Sequence, residues 1–174
     1  MNEMNDPPWV TEARHCYSRI GPERTDPVTV FRVEANVEVS EEKPGTECLH
    51  LRPASRSVVV VSAAGREEGV IRAERILPIR RYVMRRNGNR VWALSNRSFV
   101  HKRHVLDPGD GETWTFDTPF FWWQHLTGSI GGVPKLLGYV GPSKRFWLMW
   151  IEPGRDTDDL LAAVALMHRN WWRL

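Results

Sequence analysis

The chain has 174 residues, 41% of them hydrophobic, with 24 Lys and Arg against 21 Asp and Glu for a formal charge of +3. That length fits one domain with a single sizeable core, and nothing in the composition asks for a second. The charge is unevenly placed: residues 1–50 hold ten acidic and five basic side chains, whereas residues 66–103 hold three acidic and eleven basic ones. The two cysteines, Cys16 and Cys48, form no C-x-x-C pair and have no histidine at metal-ligand spacing, so a disulfide between them is allowed without being implied. The N-terminus lacks a basic segment followed by an apolar one, which gives no secretory signal and an expectation of a cytoplasmic protein with reduced thiols.

Residues 1–27, with prolines at 7, 8, 22 and 27, read as a loosely ordered arm or a strap over the domain. From Val28 to Val39 the apolar positions approximate the two-residue period of a half-buried strand, with a one-residue bulge near Phe31 reconciling the register. Residues 41–56 read as a loop with a short strand around Leu49 and Leu51. Ser57 to Ala63 is a β-branched run, Gly65 to Gly69 a turn, Val70 to Leu77 a strand stopped by Pro78, and Ile79 to Arg86 the next strand. Asn87-Gly88 signals a tight type I′ hairpin, because both central residues of that turn need positive φ, and Arg90 to Ser95 returns as its partner. Further strands are expected at Phe99 to Leu106, Thr113 to Asp117, Phe120 to His125, Lys135 to Val140 and Arg145 to Ile151, with Gly128 to Gly132 as a flexible loop between two of them. Short strands separated by such closely spaced turn signals favour a sandwich or barrel over alternating β-α units.

The C-terminus is different in kind. Leu160 to Met167 is continuously apolar, preceded by Asp156, Thr157, Asp158 and Asp159 and followed by His168, Arg169 and Arg173. Asp156 or Thr157 can cap a helix there, Asp158 and Asp159 complement its positive end, and the basic residues its negative end. Eight apolar residues fall well short of the about 20 that cross a bilayer, so the segment, placed at residues 157–172, reads as a buried core helix without a transmembrane span. Eight of the nine tryptophans, at 92, 114, 122, 123, 147, 150, 171 and 172, lie in the second half and read chiefly as core and rim packing around that rod.

In this order of elements the chain resembles the tubby-like superfamily, which includes phospholipid scramblases and the plant LURP-one-related proteins. The resemblance runs from about Ser57 to Trp172, through Ala64-Gly65, Gly69-Val70-Ile71-Arg72, the hairpin Arg80 to Gly88, Leu136-Leu137-Gly138-Tyr139-Val140, and the acidic-then-apolar terminus Asp156 to Met167. It implies a mainly β fold: a closed, roughly twelve-stranded β-barrel formed by residues 28–174 around the C-terminal helix. The cysteine-rich palmitoylation segment of the scramblases is absent, and the phosphoinositide-contacting residues of tubby proteins have no local motif here onto which each can be placed. Asp156-Thr157-Asp158-Asp159 stands where scramblases have a proposed calcium segment, but it lacks the twelve-residue oxygen-ligand loop of an EF-hand, and helix capping accounts for it.

The charge feature that invites a function is the run Arg72, Arg75, Arg80, Arg81, Arg85, Arg86, Arg90, Arg97, Lys102 and Arg103. Side chains alternate between the faces of a strand, so many of these must project together from adjacent strands. With Asn87-Gly88 as the turn, Arg85 lies across from Arg90, and like charges so placed destabilise a hairpin unless an anion or carboxylate neutralises them. The candidate anion- or lipid-binding residues are therefore Arg80, Arg81, Arg85, Arg86, Arg90, Lys102 and Arg103. Against this stands a plainer reading: a solvated face paired with the acidic N-terminal segment, or arginine stems covering apolar surface. His101 and His104, three apart, face opposite sides of a strand and make a poor metal pair, so both are expected at the surface or rim.

Catalysis has little support. There is no Gly-x-Ser-x-Gly elbow, no recognisable Cys-His pair, and Gly128 to Gly132 lacks the context of a phosphate-binding loop. No cofactor or metal is expected. The sequence thus points to a non-enzymatic module for an anionic surface, foremost phospholipid headgroups, cytoplasmic or peripheral on the membrane. Nucleic-acid binding with Trp92 or Trp114 stacking on bases, and a protein-interaction scaffold that docks an acidic segment, stand as alternatives.

Overall fold

The computed structural model of the chain describes residues 14–18, 27–34, 37–38, 40, 42, 44–76, 79–96, 104–109, 111–117, 124–130, 133–142, 146–155 and 157–168. Among the described residues there are twelve strands and one helix. The first seven strands are β1 (Arg14–Ser18), β2 (Val28–Val33), β3 (Thr46–Ala54), β4 (Ser57–Ser62), β5 (Glu67–Ile76), β6 (Ile79–Arg86) and β7 (Asn89–Asn96). They are followed by β8 (His104–Asp107), β9 (Thr113–Asp117), β10 (Gln124–Ile130), β11 (Val133–Pro142), β12 (Phe146–Ile151) and the helix α1 (Asp158–His168). Every ladder is antiparallel, each strand from β2 to β12 pairs with its neighbours in chain order, and β1 pairs with both β2 and β12.

The two-residue period explains the strands. In β4 the run of valines puts Val58 and Val60 in the core and leaves Val59 and Val61 half-buried, as a pleated ribbon must when one face packs inward. The same alternation sends Leu49 and Leu51 of β3, Tyr82 and Met84 of β6, and Trp92 and Leu94 of β7 into one apolar cluster. The bulge expected near Phe31 is present, as a register shift between Val30 and Phe31 opposite β3. At the β6–β7 turn, Asn87 has φ 50° and Gly88 φ 80°, the two positive angles that a type I′ turn demands.

Helix α1 is the rod around which this core forms. Leu161, Ala162, Ala163, Val164, Ala165 and Leu166 are all buried, and the helix packs on β2, β3 and β7. A segment apolar all round needs such enclosure on every side. Thr157 starts it: its carbonyl accepts from Leu161 N–H at 3.0 Å and its hydroxyl from Leu160 N–H at 3.4 Å. The helix is described to His168; Arg169 to Leu174, with Trp171 and Trp172, lie outside the described residues.

Several expectations change. Arg14–Ser18, inside the stretch expected to be a loose arm, forms β1, a strand too short and polar to show a period but held by ladders on both sides. The second strand ends at Val33 instead of Val39, and the expected loop at 41–56 contains the nine-residue β3. The turn after β4 is centred on Ala63 to Gly65, and Gly69 lies buried within β5. Gly128, Ser129 and Ile130 belong to β10 and not to a flexible loop; Gly128 pairs with Trp114, where a residue without a side chain suits a neighbour with the largest one. His104, expected at the surface, is 5% exposed, on the same inward parity as Leu106. His101 and most of the expected strand at residues 120–125 lie outside the described residues.

Candidate functional site

The register of β3 through β8 sets the arginines in rows. One row on the outer face runs Arg52, Val59, Val70, Arg85, Arg90; the next runs Ala54, Ser57, Arg72, Val83, Ala93, Asp107; a third runs Glu74, Arg81, Ser95, Val105. These rows carry five arginines and two carboxylates, which leaves three positive charges on a single face. Arg56, in the turn between β3 and β4, stands exposed at its edge.

The hairpin argument from sequence is right about placement, and the chain itself supplies the neutralising groups. Arg85 and Arg90 are cross-strand partners. Arg85 Nη2 donates to Glu74 Oε1 at 3.1 Å, Arg85 Nη1 to the Gly88 carbonyl at 3.4 Å, and Arg90 Nη2 pairs with Asp107 Oδ2. Asp107 is itself oriented by the Gly109 N–H, which donates to its Oδ1 at 2.9 Å. Both cations that motivated an external anion thus hold internal carboxylates.

Arg86 turns the other way. Two residues beyond Met84 and four beyond Tyr82, it shares their inward parity and reaches the helix, where its Nη2 and Nη1 donate to the two carboxylate oxygens of Asp159 at 2.6 and 3.4 Å. Its Nε donates to the Glu68 carbonyl at 2.7 Å. A fork-to-fork pair of this kind fixes direction as well as distance, so Arg86 fastens the hairpin to the first turn of α1 and does not face a ligand on the outer rows.

Four arginines remain without such partners. Among the described residues, no carboxylate or hydrogen-bond acceptor engages Arg52, Arg56, Arg72 or Arg81. Glu74 lies directly across from Arg81 yet turns to Arg85, which leaves one carboxylate between two guanidinium groups. Arg52, Arg56 and Arg72 are exposed and Arg81 is half-buried. Of the seven candidate residues named from sequence, therefore, Arg81 is open, Arg85, Arg86 and Arg90 are paired, the side chain of Arg80 is outside the described set, and so are Lys102 and Arg103. Arg80 is the cross-strand partner of Arg75.

Val83 is 2% exposed although it lies outside the central cluster, with Arg72 across from it and Arg81 and Arg85 two residues to either side. Arginine stems beside an apolar residue can shield it while their charged ends reach water. A groove of about 510 Å³ runs beside them, lined by Arg72, Glu74, Arg85 and Asn87.

Arg52 and Arg56 escape a reading by sequence because Pro53 shortens the strand expected around Leu49 and Leu51. The pairing of Arg52 with Val59 sets that residue on the same face as Arg72, two strands away. The tryptophans invoked for base stacking, Trp92 and Trp114, are each 1% exposed and present no face to a base. Trp147 and Trp150 are half-buried.

A second cluster surrounds the start of α1. Arg155 pairs with Glu112 through Nη1 and with Glu152 through Nε, the latter at 2.9 Å. Burial alone would lower the affinity of this guanidinium for its proton, but the hydrogen bonds and charges of Glu112 and Glu152 outweigh it and hold the group above its ordinary range. Its folded pKa being raised, its contribution is complete at every pH below the ordinary arginine value and fades only in strong alkali. Cys48 is an unbridged thiol that donates to the Thr46 carbonyl at 3.5 Å. Among the described residues no helix is long and apolar enough to cross a membrane. Comparison of the chain with protein-family models, curated proteins and solved structures finds no match.

Proposed function

We propose that the chain is a non-enzymatic, tubby-like β-barrel that binds an anionic surface, foremost phospholipid headgroups, through the outer face of β3 to β7. The ladder that joins β1 to β12 supports the closure of twelve strands into a barrel around α1. The observation that carries the functional reading is the set Arg52, Arg56, Arg72 and Arg81, four guanidinium groups on or beside one sheet face with no carboxylate engaged among the described residues. Planar guanidinium donors suit phosphate oxygens, and several of them spread over one sheet face meet a charged plane without first ordering long loops. Val59 and Val70 lie half-buried between them.

Electrostatics would supply most of the attraction. Among the described residues Val37 is the large hydrophobic side chain that stands exposed, at 44%, so aromatic insertion contributes little there. Each basic residue near an anionic membrane adds about 1 kcal/mol, roughly fivefold in partitioning. The full chain should co-sediment with vesicles of phosphatidylcholine containing 30% phosphatidylserine and not with pure phosphatidylcholine, and 0.5 M salt should release it. Replacing Arg52, Arg72 and Arg81 together by Gln should weaken that binding by about a hundredfold, whereas Arg90→Gln should change it little. Equal, salt-insensitive partitioning to both vesicles, or wild-type binding by the triple variant, would sink the proposal.

A further inference from the structure

The groove of about 510 Å³ is walled by β5, the end of β6 and the Asn87-Gly88 turn. Three carboxylates and three guanidinium groups line it: Glu67, Glu68 and Glu74 against Arg72, Arg85 and Arg86. Four of these six are matched within the chain. Glu74 holds Arg85, Asp159 holds Arg86, and Glu68 holds Arg66, whose Nη2 lies 2.8 Å from its Oε1. The two that remain are of opposite sign. Among the described residues neither Glu67 nor Arg72 has an ion pair or a side-chain hydrogen bond, and both are exposed.

Glu67 and Arg72 share the groove without neutralising each other. Across β4, Glu67 stands opposite Val61, Val70 opposite Val59 and Arg72 opposite Ser57. Val61 and Ser57 are four residues apart on one face, so the two charges spring from rungs about 13 Å apart along the strand. Half-buried Val70 lies between them. A singly charged occupant would satisfy one of the two and leave the other bare, whereas an occupant with both signs complements both and keeps the groove, with three charges of each sign, in balance.

We propose that this groove binds a small zwitterion in which a short aliphatic spacer joins a primary ammonium to a phosphate, with the phosphate on Arg72, the ammonium on Glu67 and the spacer over Val70. A planar guanidinium offers paired donors to phosphate oxygens, and a carboxylate accepts the N–H donors of a primary ammonium. Phosphoethanolamine has this form, either free or as the headgroup of a phospholipid. The assignment rests on the arginine face in that Arg72 belongs to it; Glu67 does not, and that residue separates the two readings.

Phosphoethanolamine titrated into the full chain should shift the side-chain amide resonance that Asn87→Gly removes from the ¹⁵N–¹H spectrum, since Asn87 lines the groove. Ethanolamine and glycerol phosphate, each with one of the two charges, should bind at least about fivefold less well. Glu67→Gln should weaken phosphoethanolamine binding about fivefold and leave glycerol phosphate unaffected, whereas Arg72→Gln should weaken both. Both positions are exposed, so neither variant disturbs the core. Glu67→Gln should also adsorb no more weakly than the wild type to phosphatidylcholine vesicles with 30% phosphatidylglycerol, whose headgroup has no ammonium. Phosphatidylethanolamine in place of phosphatidylglycerol distinguishes the sources: adsorption that Glu67→Gln loses assigns the site to the lipid headgroup, and phosphoethanolamine binding without such adsorption assigns it to the free molecule. Failure of the arginine face would appear as no adsorption of the wild type to phosphatidylglycerol vesicles. Absence of any shift with phosphoethanolamine, equal binding of glycerol phosphate, or full phosphoethanolamine binding by Glu67→Gln would each overturn the zwitterion site.

Discussion

Gly69 shows how much one position decides. It sits buried in β5 where the ladder to β4 shifts register between Val60 and Val61. A Cβ there would stand 2.7 Å from Met84 Cε and 2.9 Å from the Arg85 carbonyl oxygen. The methionine tip can move aside, but the carbonyl belongs to the β5–β6 ladder and cannot do so without disturbing it. Gly69→Ala should therefore lower stability by about 1–3 kcal/mol, measured by urea denaturation, despite the better strand propensity of alanine. An unchanged midpoint would mean that the strand yields there. Nothing in the sequence marks this glycine apart from Gly65, four residues earlier and in an open turn, since both read as turn residues until the pairing is known.

At the scale of elements, the β6–β7 hairpin is a balance of like charges. Glu74 serves Arg85, lies across from Arg81, and keeps Arg85 compatible with Arg90. Glu74→Gln should destabilise the fold by about 0.5–1 kcal/mol at low salt, an effect that 0.5 M salt reduces. Adding Arg85→Gln should restore most of the loss, because it removes the repulsion that Glu74 relieves; a double-mutant cycle with no coupling would refute this account. The hairpin itself was legible, since Asn87-Gly88 and the flanking alternation identify both turn and register. The carboxylates were not, because Glu74 and Asp107 reach it from strands on either side, eleven and seventeen residues away from their arginines.

For the whole molecule, the terminal helix completes a core that begins some 130 residues earlier with Val28 and Val30. Ala163 is fully buried within it, so Ala163→Asp should abolish cooperative thermal unfolding followed by circular dichroism, as should deletion of residue 156 onward. Val37→Asp, at an exposed position, should leave the melt nearly unchanged. A folded, cooperative truncation would show that the strands hold together without the rod. The same dependence explains the long reach of Arg86, which ties the hairpin to Asp159 once the helix is seated.

Local chemistry on its own determines a mainly β chain with one buried helix, the Asn87-Gly88 turn, the bulge near Phe31, and a capped, acidic start to α1. Each depends on residues a few positions apart. The outward direction of Arg52, the pairing of Arg86 with Asp159, the burial of His104 and the internal pairing of Arg85 and Arg90 were decided by tertiary structure. A one-residue register shift moves a side chain to the opposite face, and which carboxylate reaches which arginine depends on strands that meet only when the sheet is assembled. The basic run is therefore plain in the sequence. Which of its charges remain available to a partner is a property of the fold.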